Sequence, residues 1–306
     1  MPGLRLSAIV PATNRPPTLE RCAGAIRAAR EAPDELIVVT DAPSPGPGAA
    51  RNEGARRATG DVLVFVDADV VPHVDVFERI RATFDAEPGL VALFGSYDDE
   101  PEAPGVVSRF RNLLHHVTHH GAAGPAETFW AGLGAVRRDA FLEAGGFDAA
   151  RYARASIEDI ELGMRLTSEG AAVRLDPSIQ GTHLKRWTLA EMIRTDLVLR
   201  GIPWVALLLR DGRRSSALNL GWSYRLSALA SLLCLAAVWR RRPVVAAGAV
   251  ASLLVLNRRL YLLLHRRFGA VHAALGVPLH VLHHVTAAIA VPLGLLAHLR
   301  ERRRSP

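Results

Sequence analysis

The chain has 306 residues, of which 49% are apolar and 22% charged, a composition that excludes an intrinsically disordered protein. The formal net charge is +7, and much of the excess arginine lies late in the chain beside apolar runs. Membrane anchoring therefore explains this charge better than nucleic-acid binding does, and no nucleic-acid partner is expected. The two cysteines, Cys22 and Cys234, are too few and too far apart for a disulfide framework.

The first hundred residues alternate between short apolar runs and segments with helical spacing. Strands are predicted at residues 4–12, 35–40, 61–66 and 90–97, and helices at residues 18–30, 48–59 and 74–85. Strands separated by helices predict parallel pairing and a layered α/β sheet. Ligands of such sheets bind beyond the carboxyl ends of the strands, so we expect the chemistry just after Val10, Val39 and Val66.

Two aspartates, Asp67 and Asp69, follow the third predicted strand. Residues i and i+2 of an extended chain lie on the same side, so the two carboxylates can converge. Carboxylates that close repel each other unless a cation lies beside them, and hard oxygen ligands suit Mg²⁺ or Mn²⁺ bound together with substrate phosphates. Taken alone, the motif fits a turn that closes the strand equally well.

Several further motifs follow in a fixed order and favour the metal-binding interpretation. They are IVPATNR at 9–15, ELIVVTD at 35–41, ARN at 50–52, DAD at 67–69, WAG at 130–132, GGFD at 145–148, IEDIELG at 157–163 and QGTHLKRW at 180–187. Together they make the chain resemble family 2 glycosyltransferases. The resemblance implies a GT-A fold over residues 1–215, with a mixed, mostly parallel sheet between helices. It also implies an inverting, metal-dependent transfer of a sugar from a nucleotide-diphosphate sugar, expected to be a UDP-sugar.

The resemblance also implies a donor site. Pro11 and Thr13 would line the nucleotide pocket, largely through their backbone, with Arg15 beside them. Asp41 would accept a hydrogen bond from the base, although the family often has two adjacent acids where this chain has Thr-Asp. Arg51 would approach the phosphates, because a guanidinium makes bidentate phosphate contacts. A solvated helix charge is the alternative for this arginine.

The same resemblance implies the metal ligands and the catalytic base. Asp69, Asp67 and His183 are the expected ligands of Mn²⁺ or Mg²⁺, with Asp67 also beside the donor; phosphate binding or simple packing is the alternative for His183. Asp159 is the expected general base, with Glu158 as the second candidate, because a carboxylate beside the acceptor hydroxyl can take its proton during attack on the anomeric carbon. Acids at a helix start also compensate the helix dipole, which is the alternative here.

Trp130 and Gly132 are expected in the floor of the sugar site, since glycine permits close backbone approach and tryptophan can stack on a sugar. A core position is the alternative for Trp130. Lys185 and Arg186 are expected diphosphate contacts, and Trp187, which follows them, is a further candidate substrate contact. The spacing of Arg186-Trp187 from Gln180 differs from that of processive polysaccharide synthases, which argues against a polymerase.

Residues 216–306 are predicted to anchor the chain in a membrane. Apolar runs lie at 226–239, extended upstream by 217–224, at 243–256, continued by 260–264, and at 273–299. A full span needs about 20 apolar residues, so we expect two or three spanning or interfacial helices rather than a buried hairpin of a soluble protein. Arginines flank every run and leave the orientation open.

The N-terminal apolar run is too short for a secretory signal, so we expect a multi-pass protein of the inner (cytoplasmic) membrane whose catalytic domain faces the cytoplasm. The anchor favours a lipid or lipid-linked acceptor. A membrane scaffold with a degenerate sugar-nucleotide-binding domain is one alternative, against which Asp67, Asp69 and Asp159 argue together. A nucleotidyltransferase is another, but residues 11–15 lack its glycine-rich phosphate loop.

Two groups of histidines are less informative. Residues 115, 116, 119 and 120 are histidines at helical spacing, and pairs four apart can bind a transition metal. Because no Glu lies between them in a His-Glu-x-x-His pattern, a solvated or acceptor-facing helix is favoured. His280, His283 and His284 lie within the last apolar run, where they either meet lipid phosphate or mark a helix face directed toward protein.

Overall fold

In the computed structural model of the chain, residues 3–212 and 221–303 are described. The chain divides into two compact units. The first comprises Met1–Glu102 and His119–Lys185, and the second comprises Ala103–Thr118 and Arg186–Pro306. The predicted domain boundary at residue 215, and the apolar residues 217–220 upstream of the first predicted span, lie outside the described residues.

The first unit contains a mixed sheet. Its strands are β1 (Leu6–Pro11), β2 (Glu35–Val39), β3 (Val62–Val66), β4 (Val70–Pro72), β5 (Leu90–Tyr97), β6 (Gly124–Pro125), β7 (Leu133–Arg137) and β8 (Ala172–His183). Among the described residues the strand order is β2-β1-β3-β7-β5-β8-β4, and β6 pairs with β8. The predicted α/β class with a mixed sheet is confirmed.

Strand β7 reverses the direction of pairing in the middle of this sheet. β1 is parallel to both β2 and β3, as the strand–helix alternation predicts. β7 lies antiparallel between β3 and β5, and parallel pairing resumes only between β5 and β8. β4 and β6 are antiparallel to β8. β1 and β3 are buried almost throughout, which explains their uninterrupted apolar sequences.

Among the described residues of the first unit, these helices lie entirely within it: α1 (Leu19–Arg27), α2 (Pro47–Arg57), α3 (Val76–Ala86), α5 (Arg138–Glu143) and α6 (Glu158–Ser168). The predicted helices α1 to α3 agree with these bounds to within a few residues. α1 forms where it was expected because Cys22, Ala23 and Ile26 recur on one face, and all three are buried. α4 (Val106–Gly121) contributes residues to both units.

The second unit is helical. Besides residues 106–118 of α4 it contains α7 (Leu189–Arg194), a π-helical segment (Thr195–Gly201), α8 (Ile202–Asp211), α9 (Trp222–Trp239), α10 (Pro243–Leu256), α11 (Arg258–Phe268) and α12 (Ala270–Arg302). α7 begins with a capping box, in which the side chains of Thr188 and Glu191 satisfy each other's backbone N–H. A Cβ atom on Gly294 would lie 2.5 Å from Val205, so glycine permits the close packing of α8 and α12.

Within the described residues, two helices are long and apolar enough to cross a membrane, α9 and α12. The pair α10 and α11 would make a third candidate if counted together, but it is bent by 81°. Apolar side chains on α9 and α10 are turned outward: Leu229 is 62% exposed and Val244 is 84% exposed. These helices confirm the predicted C-terminal apolar segments and are suited to membrane association.

The second unit also contains a closed polar network. Arg111 donates through Nη2 to Oδ1 of Asp196 over 2.7 Å, and Nδ1 of His283 lies 2.7 Å from the other oxygen, Oδ2. Nε2 of His283 is 3.2 Å from the hydroxyl of Tyr224. His280, His283 and His284 are all buried, so this face of α12 is directed toward protein.

Candidate active site

Asp67 and Asp69 follow β3 directly and lie at the carboxyl end of the parallel strands. The backbone N–H of Asp67 donates to the carbonyl of Gly132, beside the start of β7, over 3.0 Å. A turn then forms, in which the N–H of Val70 donates to the carbonyl of Asp67 over 2.9 Å. Each aspartate side chain is 31% exposed, so part of each carboxylate is accessible.

Arg51 links Asp67 to Glu158. Nη2 donates to Oδ1 of Asp67 over 2.6 Å, and Nη1 donates to Oε1 of Glu158 over 3.0 Å. The other oxygen of Glu158 accepts a hydrogen bond from the backbone N–H of Ser156. Both the Arg51 and Glu158 side chains are only 5% exposed. The predicted phosphate contact of Arg51 stays a prediction, and two of its nitrogens already donate to carboxylates.

His183 is brought to Asp69 by strand register. Val70 of β4 pairs with His183 at the end of β8, and the N–H of Leu184 donates to the carbonyl of Asp69 over 2.8 Å. Nε2 of His183 therefore lies 3.6 Å from Oδ2 of Asp69. The imidazole stacks on the ring of Tyr97, with 4.1 Å between the ring centroids. This stacking fixes the plane of the imidazole.

The two aspartates differ in their tendency to ionise. Burial raises the pKa of Asp67, and the neighbouring Asp69 adds to this, while Arg51 opposes it. Burial opposes ionisation of Asp69 as well, but the neighbouring His183 and Lys185 lower its pKa below the ordinary value. Such a pair of carboxylates favours a nearby cation.

The side chains available as metal ligands fit a divalent cation that is held partly by the substrate. Within residues 3–212 and 221–303, no three His, Cys, Asp or Glu side chains are arranged as a complete metal site. Asp69 and His183 supply an oxygen and a nitrogen close together, and Asp67 is their neighbour. Mg²⁺ and Mn²⁺ accept such an incomplete set, because phosphate oxygens and water complete their coordination.

Asp159 lies at the start of α6, against the segment that contains Trp130. Its Oδ2 accepts a hydrogen bond from the backbone N–H of Ala131 over 3.2 Å. The Asp159 residue is half-buried, whereas Glu158 is buried in its ion pair with Arg51. Of the two predicted base candidates, Asp159 is therefore the more accessible.

Trp130 is packed firmly and is itself only 7% exposed. A Cβ atom on Gly132 would lie 2.4 Å from the indole, so only glycine fits beside it. The rings of Tyr97 and His119 meet the indole edge-on at centroid distances of 4.9 Å and 5.2 Å. His119 is buried, and its Nδ1 is 2.8 Å from the carbonyl of Gly95, so it is not a solvated residue of α4. The spacing of the histidines alone did not predict this supporting role.

The loop after β1 places several predicted donor-site residues at the surface. Pro11 is half-buried, and Thr13 and Arg15 are exposed. Arg15 has a φ of 43°, and its N–H closes a turn onto the carbonyl of Ala12 over 2.9 Å. A positive φ at a non-glycine residue stores strain, which is concentrated at binding sites. Asp41, just after β2, is also exposed.

The last predicted contacts fall on both sides of the division between the units. Lys185 ends the first unit and contributes to the lowered pKa of Asp69. Arg186 and Trp187 begin the second segment of the second unit. There the N–H of Trp187 donates to Oγ of Ser108 over 2.9 Å, and the guanidinium of Arg111 lies 5.3 Å from its ring. Substrate contacts of Arg186 and Trp187 stay predictions.

Comparison with known proteins gives three findings. Residues 43–144 match the family model described as Glycosyl transferase family 2. The curated Pre-mycofactocin glycosyltransferase of Mycobacterium tuberculosis, from strains CDC 1551 / Oshkosh and ATCC 25618 / H37Rv, is 28% identical over 156 residues, which cover 49% of this chain. The match spans only 32% of the length of that relative.

Among solved structures, the mannosyltransferase PcManGT from Pyrobaculum calidifontis, in complex with GDP-Man and Mn²⁺, is similar with a TM-score of 0.57 and 19% identity. The likeness covers 94% of this chain and 87% of that one. At this identity the likeness concerns the fold.

Proposed function

We propose that the chain, whose residues 43–144 match the model of glycosyl transferase family 2, transfers a sugar, with inversion, from a nucleotide-diphosphate sugar to a lipid or lipid-linked acceptor at the membrane. The observation that carries the proposal is the placement of accessible Asp69 beside His183, at the carboxyl end of β3. Such an arrangement suits a metal-bound diphosphate.

We assign the metal ligands to Asp69 and His183, with Asp67 beside them. A bound Mn²⁺ or Mg²⁺ would offset the charge of the diphosphate and so stabilise the departing nucleotide. The similar mannosyltransferase from P. calidifontis is in complex with Mn²⁺, which agrees with this assignment. Lys185, whose charge acts on Asp69, is a second source of positive charge for the diphosphate.

Asp159 is the proposed general base. Its carboxylate would take the proton of the acceptor hydroxyl while the hydroxyl oxygen forms a bond to the anomeric carbon and the bond from that carbon to the phosphate oxygen breaks. One displacement of this kind inverts the anomeric centre. Glu158 suits the role less well, because it is buried and ion-paired with Arg51, whereas Asp159 is half-buried and its oxygens accept hydrogen bonds from backbone N–H groups.

Arg51 is a positioning residue in this account. It holds the carboxyl end of β3, through Asp67, and the start of α6, through Glu158, in one ion-paired group. Because Asp159 follows Glu158 directly, the same contacts fix the distance between the metal ligands and the base. Catalysis depends on such fixed geometry, since small displacements of reacting groups reduce the rate strongly.

The exposed residues after β1 and β2 form the proposed nucleotide site. The nucleotide would be bordered by Pro11, Thr13 and Arg15. Asp41 would accept a hydrogen bond from its base, and the proposed donor is a UDP-sugar. Trp130 and Gly132 would contact the sugar. The outward apolar side chains of α9 and α10 support membrane association, and the proposed location is the cytoplasmic membrane, with the first unit in the cytoplasm.

A donor screen tests the proposal. Full-length protein in detergent, supplied with native lipid extract and Mn²⁺, is offered UDP- and GDP-sugars one at a time. We expect one donor to release nucleoside diphosphate and to label the lipid fraction. Asp69→Ala should abolish this activity, whereas Asp85→Ala, which removes an exposed carboxylate of α3, should retain it.

Two outcomes would contradict the proposal. No turnover of any donor, together with no donor binding by calorimetry, would favour a membrane scaffold. Release of a sugar 1-phosphate instead of a nucleoside diphosphate, with the nucleotidyl group passed to another acceptor, would indicate a nucleotidyltransferase.

A further inference from the structure

Helix α11 is short and tied at both ends to apolar helices. Its 11 residues extend about 16 Å, at 1.5 Å per residue. Asn257 alone separates it from α10, and Gly269, with a φ of 83°, separates it from α12. Nδ2 of Asn257 donates to Oγ of Ser227 on α9 over 2.8 Å, which fixes the point where the chain turns by 81°.

One face of α11 is packed against protein. Leu260, Tyr261 and Leu264 are buried in an apolar cluster of the second unit. Their partners in that cluster are Phe110, Leu113 and Met192. The apolar side of this amphipathic helix is therefore already covered by protein.

The opposite face of α11 is basic and exposed. At 100° per residue, Arg258, Arg259, His265 and Arg266 fall within an arc of about 120°, with Leu262 at its centre. All of these side chains are exposed, and Leu262 is 50% exposed. Within residues 3–212 and 221–303, Arg258, Arg259 and Arg266 form no ion pair.

The surrounding sequence offers these arginines almost no acidic partners. Residues 221–306 contain twelve arginines and one acidic residue, Glu301. Because the whole chain has a formal net charge of only +7, the residues before 221 are net acidic, and the positive charge is concentrated in this segment. The counter-charge of the α11 face must therefore come from outside the segment.

We propose that α11 lies along the membrane surface and that its outward face binds the headgroups of anionic phospholipids. The inference rests on the proposed membrane placement of α10 and α12 and does not depend on the transfer reaction. Since both neighbours are apolar and each is joined to α11 by one residue, α11 lies where hydrocarbon gives way to headgroups. Leu262 reaches into the acyl boundary while Arg258, Arg259 and Arg266 contact phosphate.

A fluorescent probe on α11 tests this. In full-length protein carrying Cys234→Ser, a probe is attached to Leu262→Cys. Cys22 is buried, so we expect it not to be labelled. The protein is reconstituted in phosphatidylcholine vesicles that contain some phosphatidylglycerol, with a spin-label quencher near the headgroup of one lipid or the other. The apparent association constant obtained from quenching should be about fivefold greater for spin-labelled phosphatidylglycerol than for spin-labelled phosphatidylcholine. This ratio corresponds to about 1 kcal/mol, the contribution of one basic residue at the membrane surface.

Matched variants separate local binding from general charge attraction. The triple variant Arg258→Gln, Arg259→Gln, Arg266→Gln should lose the preference at residue 262. Arg240→Gln, Arg241→Gln, Arg242→Gln removes the same charge between α9 and α10 and should keep it. Equal quenching by both lipids in the parent protein, or equal loss in both triple variants, would overturn the proposal.

A probe at Leu229→Cys on α9 distinguishes a lack of headgroup binding at α11 from an error in the proposed membrane placement of the helices. Quenching at residue 229 by a spin label deep in the acyl chain, without quenching at residue 262 by headgroup labels, would leave the membrane placement intact and reject the headgroup site. Absence of quenching at both positions would reject both.

Discussion

Each unit of the molecule contains a cluster of charged side chains, and the two clusters differ in how much of each carboxylate is accessible. In the first unit, Asp67 and Asp69 are each 31% exposed. In the second, the side chain of Asp196 is only 4% exposed, and Arg111 and His283 occupy its two oxygens. Burial on its own would raise the pKa of Asp196, but Arg111 and His283 lower it to about 2.

The difference separates a candidate binding site from a structural contact. A buried carboxylate whose two oxygens are both held by basic side chains, as in Asp196, is ionised and has little capacity left for a ligand. A carboxylate that stays accessible beside a second one is stabilised by a cation. The first unit contains both a buried ion pair and accessible carboxylates. The buried pair of Arg51 and Glu158 holds the more accessible Asp67 and Asp159 in place. The following variants test this division.

The largest expected effect comes from Asp159→Asn. The amide cannot accept the proton of the acceptor hydroxyl, so we expect kcat to fall about 10³-fold, within the usual range for loss of a general base. Donor affinity should change little, because the metal ligands are unaltered. Transfer rates and calorimetric donor binding measure the two quantities. Glu169→Gln, at the exposed end of α6, is the control, and an equal loss of activity there would argue against a specific role.

Replacement of Arg51 by methionine should mainly reduce stability. The change leaves the buried Glu158 carboxylate without its cation, which costs about 3–5 kcal/mol. A lower thermal midpoint in detergent would report this loss. The double variant Arg51→Met, Glu158→Met should recover part of the midpoint, because no unpaired charge stays buried. If the single variant melted normally, Arg51 would not have the positioning role.

Asp196→Asn tests the second cluster. The amide weakens the contacts with Arg111 and His283, and we expect a loss of about 2 kcal/mol in the free energy of unfolding. Donor affinity should stay within twofold of the parent value, since this network lies outside the first unit. A thermal melt and donor calorimetry on the same sample measure both effects. Loss of donor binding at an unchanged midpoint would contradict the structural role of Asp196.

The smallest effect concerns the contact of His73, which is partly exposed, with Asp98, which is buried. The hydrogen bond to Asp98 raises the pKa of His73, although partial burial opposes this. Its stabilisation is therefore complete below the ordinary histidine value of 6.5 and is lost as the pH rises through the raised value. His73→Gln should reduce the free energy of unfolding in acid by less than about 1 kcal/mol, because His73 is partly exposed, and should have little effect in alkali. The thermal midpoint, followed as a function of pH, measures this difference. A deficit independent of pH would exclude the ion pair as its cause.

The sequence predicts the parts of the fold that rest on local patterns. β1 and β3 are recognisable because fully buried parallel strands need continuous apolar runs, and α1 because its buried residues recur on one face. The strand ends then indicate the location of Asp67 and Asp69. β7 escapes prediction because its five residues include Gly134, and its antiparallel position depends on two distant strands.

Contacts between distant residues explain what the sequence did not predict at the site. Arg51 and Glu158 are 107 residues apart, and no motif states that they meet. One signal was present: Arg51 shares the buried face of α2 with Gly54 and Ala55, and an arginine in such a stripe of small residues indicates a buried ion pair. The support of Trp130 by His119 likewise depends on tertiary packing.

The most direct test of the account is the binding of Mn²⁺ itself, followed by electron paramagnetic resonance on full-length protein in detergent. We expect Mn²⁺ to bind tightly only in the presence of a nucleoside diphosphate, because Asp69 and His183 are an incomplete ligand set. Asp69→Ala should abolish this ternary binding and Asp196→Asn should preserve it. Nucleotide binding that is equally strong in EDTA, or Mn²⁺ binding that survives Asp69→Ala unchanged, would contradict the assignment of this cluster as the metal and donor site.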